Sequence, residues 1–173
     1  MNASPRFREG QRFDPAGFRE SQRFHQSRVG WWAFLAGAAA VGLTVLALAG
    51  SGDFLHPAGL LGIAIGAGTI ALFGVAELRV EVRPDALHVR FFPLTREHRF
   101  DWNQIASAEA RSYRPIREYG GWGVRFGRHG KAYNVYGDRG VQLAFHDGRR
   151  LLIGSQRADE LAAAIASARG ARP

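Results

Sequence analysis

The sequence contains no cysteine, and Lys131 is its only lysine. The absence of cysteine excludes a disulfide framework, a thiolate zinc site and a cysteine nucleophile. The formal net charge of +8 comes almost entirely from arginine. A basic balance fits nucleic acid, anionic lipid or solubility alone. Because arginine-rich, lysine-poor usage beside abundant alanine and glycine also suits a GC-rich bacterial genome, the charge alone identifies no partner.

Sequence motifs for nucleotide binding and hydrolysis are also absent. No G-x-x-x-x-G-K-[ST] or G-x-S-x-G occurs, and the histidines have no metal-ligand spacing. Gly121, Gly123 and Gly127 have a G-x-G-x-x-x-G spacing, and the residues around them alternate as strands do. A dinucleotide site needs a different spacing and a following helix. We therefore predict that the protein is not an enzyme and that it binds no cofactor, no metal, no nucleotide and no nucleic acid.

Two long hydrophobic runs are the strongest feature of the sequence. Residues 29–50 and 58–76 contain no charged side chain, and the link SGDFLHP between them is short. About 20 apolar residues cross the ~30 Å hydrocarbon layer of a bilayer. The pattern predicts a two-helix transmembrane hairpin over residues 29–76. The alternative is a signal peptide cleaved after Ala47-Leu48-Ala49, which the long leader and long apolar core disfavour.

The charges that flank the runs predict the orientation of the hairpin. Arginines crowd both outer flanks, whereas the link has none. By the positive-inside rule, both termini lie in the cytoplasm and the protein is a multi-pass protein of the bacterial inner membrane. Arg28, Trp31 and Trp32 are the residues expected at the membrane interface.

Small residues recur four positions apart inside both runs, as Ala38 and Gly42 and as Gly62 and Gly66. Such spacing lets helix backbones approach closely. We favour packing within the hairpin over self-association of two chains.

Residues 1–28 form an Arg/Phe-rich segment that we assign to a basic cytoplasmic tail. FREGQRF at residues 7–13 returns as FRESQRF at residues 18–24. Arginine interleaved with phenylalanine beside a span suits contact with anionic headgroups. The alternative is a disordered tail whose arginines only fix the topology.

Residues 77–170 change to short alternating runs separated by turn signals. LRVEV at residues 78–82 and the run from Val141 to Phe145 before Asp147-Gly148 are typical of strands and hairpins. Ser155 is a candidate N-cap for a final helix. The pattern predicts a cytoplasmic β-sandwich or barrel of about seven strands capped by one α-helix, and hence an α+β membrane protein.

Several motifs carry a resemblance to a known group. WNQI, GGWGVRF, YGDRGVQL, DGRRLLIGSQ and ADELAAAI, in this order, resemble bacterial pleckstrin-homology-like (PH-like) domains attached to a two-helix membrane hairpin. The resemblance covers residues 29–169. It implies fold and membrane placement far more than activity, because many members of the group are uncharacterised.

Basic and aromatic residues cluster between positions 113 and 139, which suits phosphate headgroups or acidic protein segments. The candidate interaction surface consists of Arg114, Arg117, Tyr119, Arg125, Arg128, Lys131, Tyr133 and Arg139. The alternative is a set of solvated hairpins whose aromatics complete the core.

The leading hypothesis is a non-catalytic, membrane-tethered interaction module that binds a protein partner. The second is a module that binds anionic lipid. Specific phosphoinositide recognition is disfavoured, because the first hairpin of the domain has no lysine-led basic motif. An enzyme with an unrecognised cross-strand site is the weakest hypothesis.

Overall fold

The computed structural model describes residues 17–24, 28–51 and 57–170. Within these residues the protein is an α+β structure of two β-sheets and four α-helices, which confirms the α+β part of the prediction. The helices are α1 (Arg28–Ser51), α2 (Pro57–Val75), α3 (Pro115–Tyr119) and α4 (Ala158–Gly170). The strands are β1 (Arg19–Arg23), β2 (Glu77–Val82), β3 (Ala86–Phe92), β4 (His98–Asp101), β5 (Ile105–Ser112), β6 (Gly123–Gly127), β7 (Gly130–Asn134), β8 (Arg139–Phe145) and β9 (Arg150–Gly154).

The first sheet is antiparallel and has the order β1-β2-β3-β4. Its strands alternate as their sequences do, so that Leu78, Val80 and Val82 of β2 are buried while Arg79 is exposed. Side chains of successive strand residues point to opposite faces. One face of this sheet therefore belongs to the core, and the other carries charge.

The second sheet has the order β5-β8-β9-β7-β6, and only its β7–β9 pair is parallel. Helix α4 packs against β5 and β8 and buries Leu161 and Ile165 in the shared core. The predicted final helix is confirmed. The helix begins at Ala158, so Ser155 lies before the N-cap position, and its hydroxyl accepts a hydrogen bond from the Arg157 N–H at 3.0 Å.

Strand β1 comes from the segment that the sequence analysis assigned to a tail. Phe18 and Phe24 of the second repeat are buried in the core, and the strand between them pairs with β2. The separate-tail assignment is therefore wrong for residues 18–24. The period of two in FRESQRF places its phenylalanines and Glu20 on one inward face. With β1, the described residues contain nine strands, more than the seven or so expected. The first repeat, at residues 7–13, lies outside the described residues.

Helices α1 and α2 form an antiparallel pair, and Gly59, Gly62 and Gly66 of α2 face α1. A Cβ on Gly66 would lie 2.4 Å from a Val41 methyl group, and one on Gly62 would lie 3.0 Å from the Thr44 hydroxyl. The Gly62 and Gly66 spacing therefore serves contact within the chain. Gly42, in contrast, has no neighbour on the side where its Cβ would point.

The helical pair is inserted between two neighbouring strands of one sheet. Arg23 of β1 lies opposite Glu77 of β2, and the Phe24 N–H donates to the Ala76 carbonyl at 3.1 Å. The chain therefore leaves the β-domain through α1 and returns through α2 at the same place. The outer surface of the pair is apolar, with exposed side chains such as Leu43 and Leu46 on α1 and Leu61 and Ile65 on α2.

Among the described residues, only α2 is long and apolar enough to cross a membrane by length and composition. The apolar part of α1, Phe34–Gly50, is shorter than the 18 residues required for a candidate membrane span.

Candidate interaction surface

Two residues of the predicted interaction surface belong to the interior. Tyr133 is 1% exposed, and its ring meets the Phe91 ring edge to face. Tyr119 is also buried, against Tyr113. Both assignments to the surface are wrong. Tyr133 lies in β7, an interior strand of the second sheet whose last three residues are all buried, and Tyr119 is the buried last residue of α3.

Three further residues of the set are exposed or partly exposed but already have partners. Arg139 donates two hydrogen bonds to the Asp159 carboxylate, at 2.8 and 3.0 Å, which links β8 to α4. The Arg125 Nε donates to the Trp122 carbonyl at 2.9 Å. The Lys131 ammonium lies over the Tyr133 ring, 4.7 Å from its centre.

The remaining three, Arg114, Arg117 and Arg128, are exposed and their side chains make no ion pair or hydrogen bond among the described residues. They are the members of the predicted set that are available to a partner. Arg114 directly precedes α3 and Arg117 lies within it, and this short helix is not predicted from the sequence. Pro115 favours its start, and Gly120, with a φ of 73°, ends it.

Helix α3 lies beside β6, and each of the two elements has one large apolar side chain that is exposed. A Cβ on Gly127 would lie 2.1 Å from the Glu118 carbonyl oxygen, so the two elements approach as closely as only glycine allows. Ile116 of α3 is 67% exposed and Phe126 of β6 is 77% exposed. The alternation in WGVRF predicts that Phe126 points inward with Trp122 and Val124, and this prediction is wrong for Phe126. That side chain shares their face but lies near the end of the strand, beyond the core.

We call the exposed residues of these two elements and the following turn the α3–β6 patch. It consists of Arg114, Ile116, Arg117, Phe126 and Arg128. Exposed apolar side chains among cations are typical of protein interfaces.

The glycines of the predicted surface have a structural role. Gly123 has a φ of 112°, and its N–H donates to the Asn134 side-chain oxygen at 3.0 Å. The Asn134 amide donates in turn to the Tyr113 hydroxyl at 3.1 Å. Burial raises the pKa of Tyr113 to about 12, so this hydroxyl stays neutral. The glycine-rich stretch thus builds a buried polar network.

A second cluster of basic residues lies where the helices meet the first sheet. Arg23, Arg79 and Arg90 line an open cavity of about 420 Å³, together with Val75 and Phe92. The cavity opens on the charged outer face of the sheet. In the sequence, Arg23 and Arg79 stand out only as charges that flank the hydrophobic runs.

The residues predicted at the membrane interface lie in the first two turns of α1. Arg28 begins the helix. Trp31 and Trp32 are largely exposed on its surface. Their position places them beside the junction between the helices and the β-domain.

Among the described residues, no three His, Asp or Glu side chains come together as metal ligands would. Comparison of the chain with family models, curated proteins and solved structures finds no match.

Proposed function

We propose that this protein is a non-catalytic interaction module tethered to the cytoplasmic face of the bacterial inner membrane by its helical hairpin. The observation that carries the proposal is the insertion of an apolar helical pair between β1 and β2. A solvated pair with leucines on its outer surface would be costly in water, since each exposed leucine forgoes about 1.5–3 kcal/mol of burial. A lipid environment removes that cost.

The pairing of β1 with β2 argues that both helices cross together. Because the two strands are hydrogen-bonded neighbours, the chain before α1 and the chain after α2 occupy the same side of a membrane. If α2 crosses the bilayer, α1 must cross it in the opposite direction. Phe34–Gly50 is a largely apolar segment of 17 residues, at the short end of the range of about 17–25 that spans a bilayer.

The α3–β6 patch is the surface that we propose for a protein partner. It combines three cations that are free of ion pairs among the described residues with the exposed Ile116 and Phe126 side chains. An acidic segment that presents one or two apolar residues fits this chemistry. The two-sheet domain and its closing helix α4 are compatible with the PH-like resemblance.

Alkaline carbonate extraction of membranes from cells that express the full chain tests the tether. We expect the protein to stay in the membrane fraction. Recovery in the soluble fraction would overturn the proposal.

In-cell photocrosslinking tests the partner surface. A photoreactive residue at Phe126 should yield an adduct with another protein, whereas one at the exposed Asn103, outside the patch, should not. Lipid adducts alone at Phe126 would contradict a protein partner.

A further inference from the structure

An arginine-lined cavity lies at the base of the hairpin, where α2 meets the first sheet. We propose that it binds the phosphate group of an anionic phospholipid of the surrounding membrane. This inference rests on the proposed membrane tether, and it assigns to the tether a lipid preference that anchoring alone does not require.

The location of the cavity supplies both an apolar wall and a cationic wall. Val75 at the end of α2 is half-exposed on one side, and Phe92 of β3 is exposed on the other. Between them lies the outer face of the first sheet with its arginines. A phospholipid fits this combination of walls, because its apolar glycerol and acyl carbons adjoin its charged phosphate.

Arg79 and Arg90 lie directly opposite each other in the β2–β3 register. Like charges in directly opposed positions destabilise a sheet. A bound anion between or beside them would remove this repulsion. A bound phosphate would therefore stabilise this arrangement of charges.

The carboxylate in the cavity compensates only part of this charge. Glu77 accepts hydrogen bonds from the Arg79 guanidinium at 2.7 and 3.1 Å, and Arg23 lies 3.8 Å from it. The Arg79 hydrogen bonds hold the pKa of Glu77 below its usual value, so the carboxylate is ionised at neutral pH. Among the residues that line the cavity, one carboxylate therefore faces three guanidinium groups, which leaves an excess of positive charge, although Glu81 outside the lining also attracts Arg79.

Arg90 is the cation that is left for a ligand. Its guanidinium lies over the Phe92 ring, 5.2 Å from the ring centre, and it makes no ion pair among the described residues. Its side chain also donates no hydrogen bond among the described residues, so its N–H groups are available to a ligand. Two parallel N–H groups match two oxygens of a phosphate.

The aromatic residues of α1 indicate that this cavity lies at headgroup depth. A Cβ on Gly74, which lines the cavity, would lie 4.0 Å from the Phe34 ring, so Phe34 is level with the end of α2. Trp31 and Trp32 lie about one turn closer to the β-domain. Exposed tryptophans occupy the interface between hydrocarbon and headgroups. This level favours a lipid phosphate over a phosphate dissolved in the cytoplasm.

The test compares variants of the full chain in nanodiscs of equal parts phosphatidylcholine and phosphatidylglycerol. Native mass spectrometry after disc ejection gives the ratio of the two lipids that stay bound. The wild type should retain phosphatidylglycerol preferentially, and Arg90→Gln should lower that ratio about fivefold. Arg99→Gln is the matched control, because Arg99 lies on the same sheet face outside the cavity and is paired with Asp101 at 3.1 Å.

Three outcomes would overturn the proposal. The first is an equal lipid ratio in the wild type and Arg90→Gln, and the second is an equal loss in Arg99→Gln. The third is Arg90-dependent binding of soluble glycerol phosphate in discs of phosphatidylcholine alone without any preference for phosphatidylglycerol, which would assign the cavity to a soluble phosphate.

Two further measurements separate a loss of lipid binding from a loss of folding and from a failure of the proposed membrane tether. Arg90→Gln should unfold at the same or a higher urea concentration than the wild type in neutral detergent, because the substitution removes a like-charge contact. Carbonate extraction decides separately whether the protein is tethered, so a failed lipid preference in a firmly inserted protein contradicts only the lipid site.

Discussion

Glu20 attaches the amino-terminal strand to the rest of the β-domain. Its carboxylate is buried and accepts hydrogen bonds from the Ser155 hydroxyl, from the Gln156 N–H at 2.9 Å and from the Gln22 amide at 2.9 Å. These donors lie in β1 and in the connection that precedes α4. One acidic side chain therefore joins residues that are 135 positions apart in the chain.

We expect Glu20→Ala to destabilise the β-domain by about 2–3 kcal/mol, because it leaves several buried donors without an acceptor. Arg19→Ala, which removes an exposed ion pair to Glu81, should cost about 0–1 kcal/mol. Urea unfolding of the detergent-solubilised full chain measures both. Equal losses in the two variants would show that the buried network contributes no more than a surface ion pair.

The buried Tyr113 predicts a sensitivity to alkaline pH. Its pKa is raised by burial from about 10 when unfolded to about 12 in the fold. The unfolded chain therefore loses this proton first, and stability that is present below pH 10 is lost as the pH rises toward 12.

We expect Tyr113→Phe to reduce the fall in the free energy of unfolding between pH 9.5 and 11.5. Some of the fall should remain, since burial also raises the pKa of Tyr119. At neutral pH the variant should lose only about 1 kcal/mol, the contribution of one hydrogen bond. An identical pH dependence in the wild type and the variant would contradict the account.

At the scale of elements, a disulfide crosslink can test whether α1 and α2 pack against each other within one chain. A Cβ on Gly62 would lie 3.7 Å from the Thr44 Cβ, within the range of about 3.5–4.5 Å found in disulfides. The natural chain has no cysteine to interfere.

The double variant Thr44→Cys with Gly62→Cys should therefore form an intramolecular disulfide on mild oxidation in membranes. Thr44→Cys with Gly68→Cys is the control, because Gly68 has no neighbour on its Cβ side. Electrophoresis with and without reductant reads out both. Crosslinked dimers in place of the intramolecular product would mean that the helices pair between chains.

The strands of the β-domain show which local sequence signals are sufficient to predict secondary structure. Strand alternation in LRVEV and in the run from Val141 to Phe145 predicted β2 and β8, because each strand has one buried face. Strand β1 was missed, although FRESQRF has the same period of two. Its partner β2 is separated from it by the whole hairpin, and a pairing between distant segments leaves no local signal.

The candidate surface was predicted only in part for a related reason. Charge and exposure go together for Arg114, Arg117 and Arg128, so these cations could be inferred from composition. Aromatic residues give no such indication: Tyr133 is buried and Phe126 is exposed, although both lie in the same two-stranded hairpin. Tyr133 lies in β7, an interior strand of the second sheet, whereas Phe126 lies near the end of the edge strand β6. Burial of an aromatic residue thus depends on its place in the sheet, which the local sequence does not give.

At the scale of the whole molecule, a β-domain and an apolar helical pair share one junction. The junction brings together the hydrogen bond from Phe24 to Ala76, the arginine-lined cavity and the tryptophans of α1. We propose that this junction lies at the cytoplasmic surface of the membrane. The α3–β6 patch is then presented to proteins at that surface, and the cavity is presented to lipid.

The most direct test of this arrangement is labelling of single cysteines with a membrane-impermeant maleimide in intact spheroplasts. Asp53→Cys marks the link between the helices, and Asp147→Cys marks an exposed turn of the β-domain. The account predicts that position 53 is labelled in intact spheroplasts and that position 147 is labelled only after lysis. Equal labelling of the two positions before lysis, or labelling of position 147 alone, would contradict it.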